Sequence, residues 1–239
     1  MTEKNIIVSG ASSGIGRAIS TRLLQQGYRV TGVARDFSKF PCDDLRFTPV
    51  CMDLSNLDEL PARLDALVKK DTVIDGLICC AGSGRFGSLE EFSAPQIRQL
   101  LDLNLTSQLY LVRALLPGMK QRGSGNIVFM GSEAALAGGK RGAVYSAAKF
   151  GLRGLAQALR QECAASGLRV SIINPGMVQT EFFNELDFRP GEAPDNYILP
   201  DDVALAVQMI LEARQGTVFD EINLSPQKKV VRFPKPGES

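Results

Sequence analysis

The run Asn5-Ile6-Ile7-Val8-Ser9 stops at Gly10, passes through Gly10-Ala11-Ser12-Ser13-Gly14-Ile15-Gly16 and enters a helical pattern that ends near Gln26-Gly27. A short β-branched apolar run halted by glycine reads as a buried strand. Strand, glycine turn and helix in that order bring backbone N–H groups and a helix N-terminus against a phosphate. Each glycine removes a Cβ where the chain turns sharply or a ligand comes close. The spacing is Gly-x-x-x-Gly-x-Gly, not the Gly-x-Gly-x-x-Gly of longer dinucleotide enzymes. This one stretch commits the chain to an α/β design with its ligand at the carboxyl end of the first strand.

The rest of the chain repeats the alternation. Strands are expected at Arg29–Ala34, Leu45–Met52, Val73–Gly82, Asn126–Gly131, Arg169–Asn174 and Glu221–Leu224. Helices are expected at Leu57–Lys69, Pro95–Arg122, Tyr145 to about Ser166, and Pro200–Arg214. Such alternation argues for a parallel sheet of about seven strands covered by helices on both faces. Ligands of open parallel sheets bind beyond the carboxyl ends of the strands, where Gly10, Gly82 and Ser132 all fall. Val178–Leu199 has no periodicity, and a loop of that length in a compact domain is usually functional, often a lid. The basic tail from Gln227 onward is expected to be partly ordered at best. No repeat or linker interrupts residues 1–239, which read as a single domain.

Composition narrows the chemistry. Basic and acidic residues nearly cancel, 27 against 26, so neither nucleic acid nor an anionic membrane is an expected partner. No apolar run approaches a membrane span, and no signal peptide is evident, so the expected location is cytoplasmic. There is no histidine, and the five cysteines (Cys42, Cys51, Cys79, Cys80, Cys163) show neither metal-ligand nor Cys-x-x-Cys spacing. Zinc chemistry, Ser-His-Asp hydrolysis and thiol redox work are thereby disfavoured, and no metal site is expected. Tyr, Lys, Ser and carboxylates, or a cofactor, have to do the work.

Tyr145-Ser146-Ala147-Ala148-Lys149 supplies the first two. On a helix the pair stands one turn apart, roughly 5–6 Å between Cβ atoms. A phenol titrates at about 10. A cation one turn away is expected to lower that value and make the pair a tuned acid/base. At the end of the second strand, Ala34 occupies the position where an acidic residue would bind the 2′-hydroxyl of NAD. Arg35 follows, which favours NADP(H). Asp36 is the counterweight, since a shift of one residue would bring a carboxylate near the ribose. Asp53 could meet an adenine amino group or cap the helix that follows, a role open to Ser55 as well. Asn104 is a polar residue inside an apolar helix and needs partners if it is buried.

The ordered set Gly10-x-x-x-Gly14-x-Gly16, Asn104, Ser132, Tyr145-x-x-x-Lys149 and Pro175-Gly176 resembles the short-chain dehydrogenase/reductase superfamily, over residues 4 to about 225. The resemblance implies a single Rossmann-like, doubly wound sheet and hydride transfer between NADP(H) and a small or medium carbonyl or secondary alcohol. It implies Tyr145 as general acid/base, Ser132 as the group that holds the substrate oxygen, and Lys149 as the group that lowers the Tyr145 pKa and binds the nicotinamide ribose. Asn104 would position a water relaying protons to Lys149. Gly10, Ser12, Ser13, Gly14, Ile15 and Gly16 would admit the pyrophosphate. Asp53 and Leu54 would lie at the adenine, and Ala81 and Gly82 near the ribose. Pro175, Gly176, Val178 and Thr180 would close over the nicotinamide.

Two departures stand out. Ser9 replaces the family's usual Thr, and Cys79-Cys80-Ala81-Gly82 replaces Asn-Asn-Ala-Gly, which puts in doubt a hydrogen-bond tie between this strand and its neighbours. The Thr180-Glu181-Phe182, Pro200–Ala204 and Asp220–Gln227 segments look most like the NADP-dependent 3-hydroxy acid (serine-type) dehydrogenases and broad ketone reductases. An acidic substrate would need cations, and Arg85 and Arg141 are the candidates. Alternatives are a 3-oxoacyl-thioester reductase of the same superfamily, or a non-catalytic NADP-binding sensor. The apolar helices at Leu100–Leu116 and Leu152–Leu159 suggest a homodimer or homotetramer.

Overall fold

The computed structural model describes residues 4–68 and 73–233. Strand β1 (Asn5–Ser9) leads through the glycine turn into α1 (Gly14–Gln25), followed by β2 (Arg29–Ala34), β3 (Phe47–Cys51), α2 (Leu60–Val68) and β4 (Gly76–Cys79). Then come α3 (Ala94–Leu101), α4 (Ser107–Arg122), β5 (Gly125–Met130), α5 (Ala143–Ala164) and β6 (Leu168–Pro175). A two-residue strand β7 (Arg189–Pro190), α6 (Pro200–Glu212), β8 (Glu221–Leu224) and a second two-residue strand β9 (Val231–Arg232) complete the chain. The expected end of α2 at Lys69 lies outside the described residues.

The main sheet has seven parallel strands in the order β3-β2-β1-β4-β5-β6-β8. The order reverses between β1 and β4, which opens the crevice where ligands of such sheets bind. Parallel strands buried on both faces need apolar residues at every position, and all six residues of β5 and all four of β4 are buried. One core, beneath α1 and α6, gathers Ile6, Val8, Ile19, Leu23, Val203 and Val207. The other, beneath α2, α4 and α5, gathers Leu60, Leu77, Leu111, Ile127, Phe129 and Leu152. Among the described residues no helix is long and apolar enough to cross a membrane.

One expectation needs correction. The single helix expected over Pro95–Arg122 is two helices joined by a widened π-type turn at Asp102–Thr106. There the Ser107 N–H donates to Asp102 O, five residues back. Polar side chains stabilise the wider turn: the Ser107 hydroxyl donates to Leu103 O at 2.7 Å, and the Gln108 amide donates to the same oxygen at 3.1 Å. Such turns inside helices are frequent at functional sites. The tail is described from Gln227 to Phe233. β9 pairs antiparallel with β7, the Gly191 N–H donates to Val230 O at 3.0 Å, and Lys228 and Lys229 reach Asp195 and Glu133, each at 2.7 Å. The described part of the tail is thus fastened by a short strand pairing and by lysines that meet carboxylates at Asp195 and beyond β5 at Glu133.

Candidate active site

The glycine turn is built by contact. Gly10 has a φ of +69°, its N–H donates to Val33 O at 2.8 Å, and a Cβ there would lie 2.9 Å from the Ala81 Cα. A Cβ on Gly16 would run into the Gly10 carbonyl, so the helix starts hard against the turn. Ser13 occupies the N-cap position but makes no side-chain bond to the helix, and the first turn of α1 carries no acidic residue. Its N–H groups are left for an anion, as a pyrophosphate cradle requires. The Ile15 side chain packs against the core, and that of Leu54 is buried in the second core, so both can offer a ligand only their backbone.

At the end of β2, Arg35 is exposed, and Asp36 is drawn away into its own turn. The Asp36 carboxylate accepts the Ser38 N–H at 2.9 Å and the Ser38 hydroxyl, which together hold it below the usual carboxylate range. Asp53 closes a similar turn, accepting the Ser55 N–H at 2.9 Å and hydroxyl at 2.7 Å, and these bonds lower its pKa. It braces the loop before α2, and Arg35 contributes a smaller favourable charge to it.

The departure at Cys79-Cys80 is compensated by a neighbour. The Ser9 hydroxyl accepts the Cys80 and Ala81 N–H groups at 2.9 and 3.1 Å, tying β1 to the segment after β4. The Gln108 amide donates to Ala81 O at 3.1 Å. Burial pushes both thiols up, Cys80 to about 12, so they remain neutral.

The candidate catalytic side chains converge at the ends of β4 and β5. Ser132, just beyond β5, caps a short 3-10 turn by accepting the Ala134 N–H at 3.1 Å, and it lies near enough to Tyr145 to favour the phenolate. Tyr145 and Lys149 lie on α5 and are only 7% and 6% exposed. The Lys149 ammonium sits 5.6 Å from the Tyr145 ring centroid and donates to Met130 O at 2.9 Å. The expected lowering of the Tyr145 pKa is not what this arrangement produces. Burial pushes it up to about 12, Ser132 lowers it in part, and Glu133 raises it further. The lysine lies over the ring face and is turned toward a carbonyl; burial pulls its own pKa down to about 8.

Asn104 sits in the widened turn, 1% exposed. Its amide donates to Leu100 O at 2.9 Å and Ser83 O at 3.0 Å, while its carbonyl accepts the Ser83 N–H at 3.3 Å. The side chain therefore clamps the loop after β4. Gly82 lies between it and the lysine, since a Cβ there would meet Asn104 Oδ1 at 2.6 Å and Lys149 Nζ at 3.7 Å. Gly176 donates to Leu224 O at 2.8 Å, extending β6 past the buried Pro175. Val178 bridges to Ile198, and Thr180 caps the 3-10 turn Glu181–Phe183 while its methyl group approaches Gly14. A cavity of about 600 Å³ opens beside Thr180, Phe183, Arg189 and Tyr197.

Sequence reasoning missed the aromatic surroundings. Phe86 and Phe182 flank Tyr145 with ring centroids 5.2 and 6.1 Å away. The available signal was the cluster of phenylalanines in an aperiodic segment, Phe182, Phe183 and Phe188. Neither arginine proposed for an acidic substrate is presented to the cleft. Arg141 lies 3.7 Å from Glu91 and 3.9 Å from Asp187, and the Arg85 guanidinium lies over the Phe92 ring at 5.9 Å. Arg141 holds a φ of +61°, unusual for a residue with a side chain, and its carbonyl accepts the Gly87 N–H at 2.7 Å.

Residues 4–189 match the family model described as short chain dehydrogenase. An uncharacterised oxidoreductase of Staphylococcus saprophyticus is 29% identical over 234 residues, covering 95% of this chain and 98% of that protein. Among solved structures, the closed form of serine dehydrogenase complexed with NADP+ superposes with a TM-score of 0.81 at 26% identity, covering 92% of this chain and 94% of the other. A metagenomic short-chain oxidoreductase in complex with NADP gives 0.78 at 28% identity, covering 95% and 98%.

Proposed function

Because the chain belongs to the short chain dehydrogenase family of oxidoreductases, we propose that it interconverts a carbonyl and a secondary alcohol with NADP(H), using Tyr145 as the general acid/base. The observation that carries this is the burial of Tyr145 and Lys149 side by side on α5, the ammonium 5.6 Å from the ring centroid, with Ser132 beside the phenol. Bound NADPH would supply the hydride. Gly10, Gly14, Gly16 and the open first turn of α1 fit its pyrophosphate, and exposed Arg35 fits a 2′-phosphate now that Asp36 is turned to Ser38. The NADP named with two structural relatives supports the same choice.

In reduction, Ser132 donates to the carbonyl oxygen and orients it, and Tyr145 delivers its proton there as negative charge builds on that oxygen. A phenol held above its ordinary pKa by burial holds its proton at neutral pH until the charge building on the substrate oxygen draws it off. Lys149 then stabilises the phenolate that remains. In this reading the relay water belongs to the widened turn at Asn104, whose side chain already has partners. Self-association through α4 and α5, where Leu109 and Phe150 are exposed, and a cytoplasmic location belong to the same reading.

The test is NADPH and NADH oxidation at 340 nm over ketones, aldehydes and 3-keto acids. Turnover favouring NADPH is expected, with Tyr145→Phe slower by about 10²–10⁴-fold while NADPH binding persists. Equal rates for the variant would remove Tyr145 from the chemistry.

A further inference from the structure

The rings around Tyr145 support a statement about substrate class that rests on the carbonyl reading above. We infer that this site selects uncharged, aryl-bearing carbonyl compounds and discriminates against carboxylate-bearing ones. Five rings form a closed circuit. Tyr145 neighbours Phe86 at 5.2 Å, Phe86 meets Phe188 edge-on at 4.9 Å, and Phe188 meets Phe183 at 5.8 Å. Phe183 meets Phe182 at 5.2 Å, and Phe182 returns to Tyr145 at 6.1 Å. The rings come from three separate segments: the loop after β4, helix α5 and the segment after β6.

This apolar cluster is distinct from the two cores that hold the sheet. Phe86, Phe182 and Phe188 are only half-buried, so ring surface remains available beside the acid. The end of the Phe182 ring lies against Gly84, where a Cβ would run into it, which ties the segment after β6 to the loop after β4. Ring edges and faces offered in this way favour an aromatic guest in edge-to-face or offset contact.

The charges around the circuit argue in the same direction. Arg141 is held between Glu91 and Asp187, Arg85 lies over Phe92, and Lys149 donates to Met130 O behind the Tyr145 ring. A substrate carboxylate would lose water against phenylalanine faces, and these three cations already have other neighbours.

Three α-keto compounds separate ring from charge: methyl benzoylformate, benzoylformate and methyl pyruvate, each reduced with NADPH. The expected result is kcat/KM for methyl benzoylformate about tenfold or more above each of the others. Phe86→Leu and Phe188→Leu keep apolar volume and an unchanged melting temperature, yet narrow the aryl preference by about threefold or more, through KM. A preference for benzoylformate, or an aryl preference unmoved in both variants, would overturn the inference. Turnover of simple ketones without an aryl preference would sink the substrate class and leave the carbonyl reading standing. No turnover on any compound, with NADPH still bound, would sink both.

Discussion

The two walls of the cleft are built differently. On one side the turn Gly10–Gly16 has almost no freedom, with Gly10 packed on Ala81, Gly16 on the Gly10 carbonyl, and Ser9 tied to the backbone after β4. On the other, the segment from Val178 to Leu199 has one bridge to its own flank, two short 3-10 turns and a two-residue strand. Its order depends on β9 and on charges carried by residues 228–232, far away in sequence. The first wall is local and steric, and suits a cofactor shape that does not vary. The second is assembled from distant parts, and suits recognition of a variable substrate.

The largest effect should come from forcing atoms into the first wall. Gly16→Ala places a methyl group on the Gly10 carbonyl and is expected to cost about 3 kcal/mol and abolish NADPH binding. Gly154→Ala, with no neighbouring atom within 4 Å of the added carbon, is the control and should melt at or above wild type. Thermal melts with and without NADPH compare the two. Equal losses would mean the turn has room to give.

Next is Lys149→Met, which separates function from stability. A fall in pKa from 10.5 to about 8 means that burying the charged lysine costs on the order of 3 kcal/mol. The penalty is complete below pH 8, where native and unfolded lysines are both charged. It declines between 8 and 10.5, where only the unfolded lysine holds its proton, and vanishes above. Lys149→Met should therefore melt a few degrees higher at pH 7, less the lost bond to Met130 O, and lose that advantage by pH 10.5 while remaining nearly inactive. A lower melting temperature at pH 7 would show that the lysine stabilises the fold as well.

The smallest effect should come from the second wall. Deleting residues from Gln227 onward removes β9 and the partners of Asp195 and Glu133. These ion pairs are exposed and contribute little stability, so the melting temperature should fall by at most a few degrees. KM for the carbonyl substrate should rise about fivefold or more as the segment loosens. An unchanged KM would show that the segment holds itself.

The strands, the glycine turn and the Tyr-x-x-x-Lys pair were legible because each depends on neighbours a few positions away. Strand ends moved by one to three residues, and α5 extends from Ala143 to Ala164 against an expected end near Ser166. The split at Asn104 was not legible, since a π-type turn keeps the apolar pattern of the helices it joins. Nor was the pairing of β7 with β9, because two-residue strands carry no periodicity. The direction of the Tyr145 shift was misread for an electrostatic reason. Spacing places the lysine one turn away, but only the fold shows it over the ring and the hydroxyl out of water.

By itself, the sequence determined the sheet, the order of its helices, the place of the phosphate cradle and the four polar side chains of the candidate site. Those features follow from backbone conformation and helical geometry, which act over a few residues. The tertiary structure alone decided that Arg141 lies between Glu91 and Asp187, and that five rings from three segments close around Tyr145. These are long-range contacts, and which groups meet across the cleft depends on how the chain returns to itself.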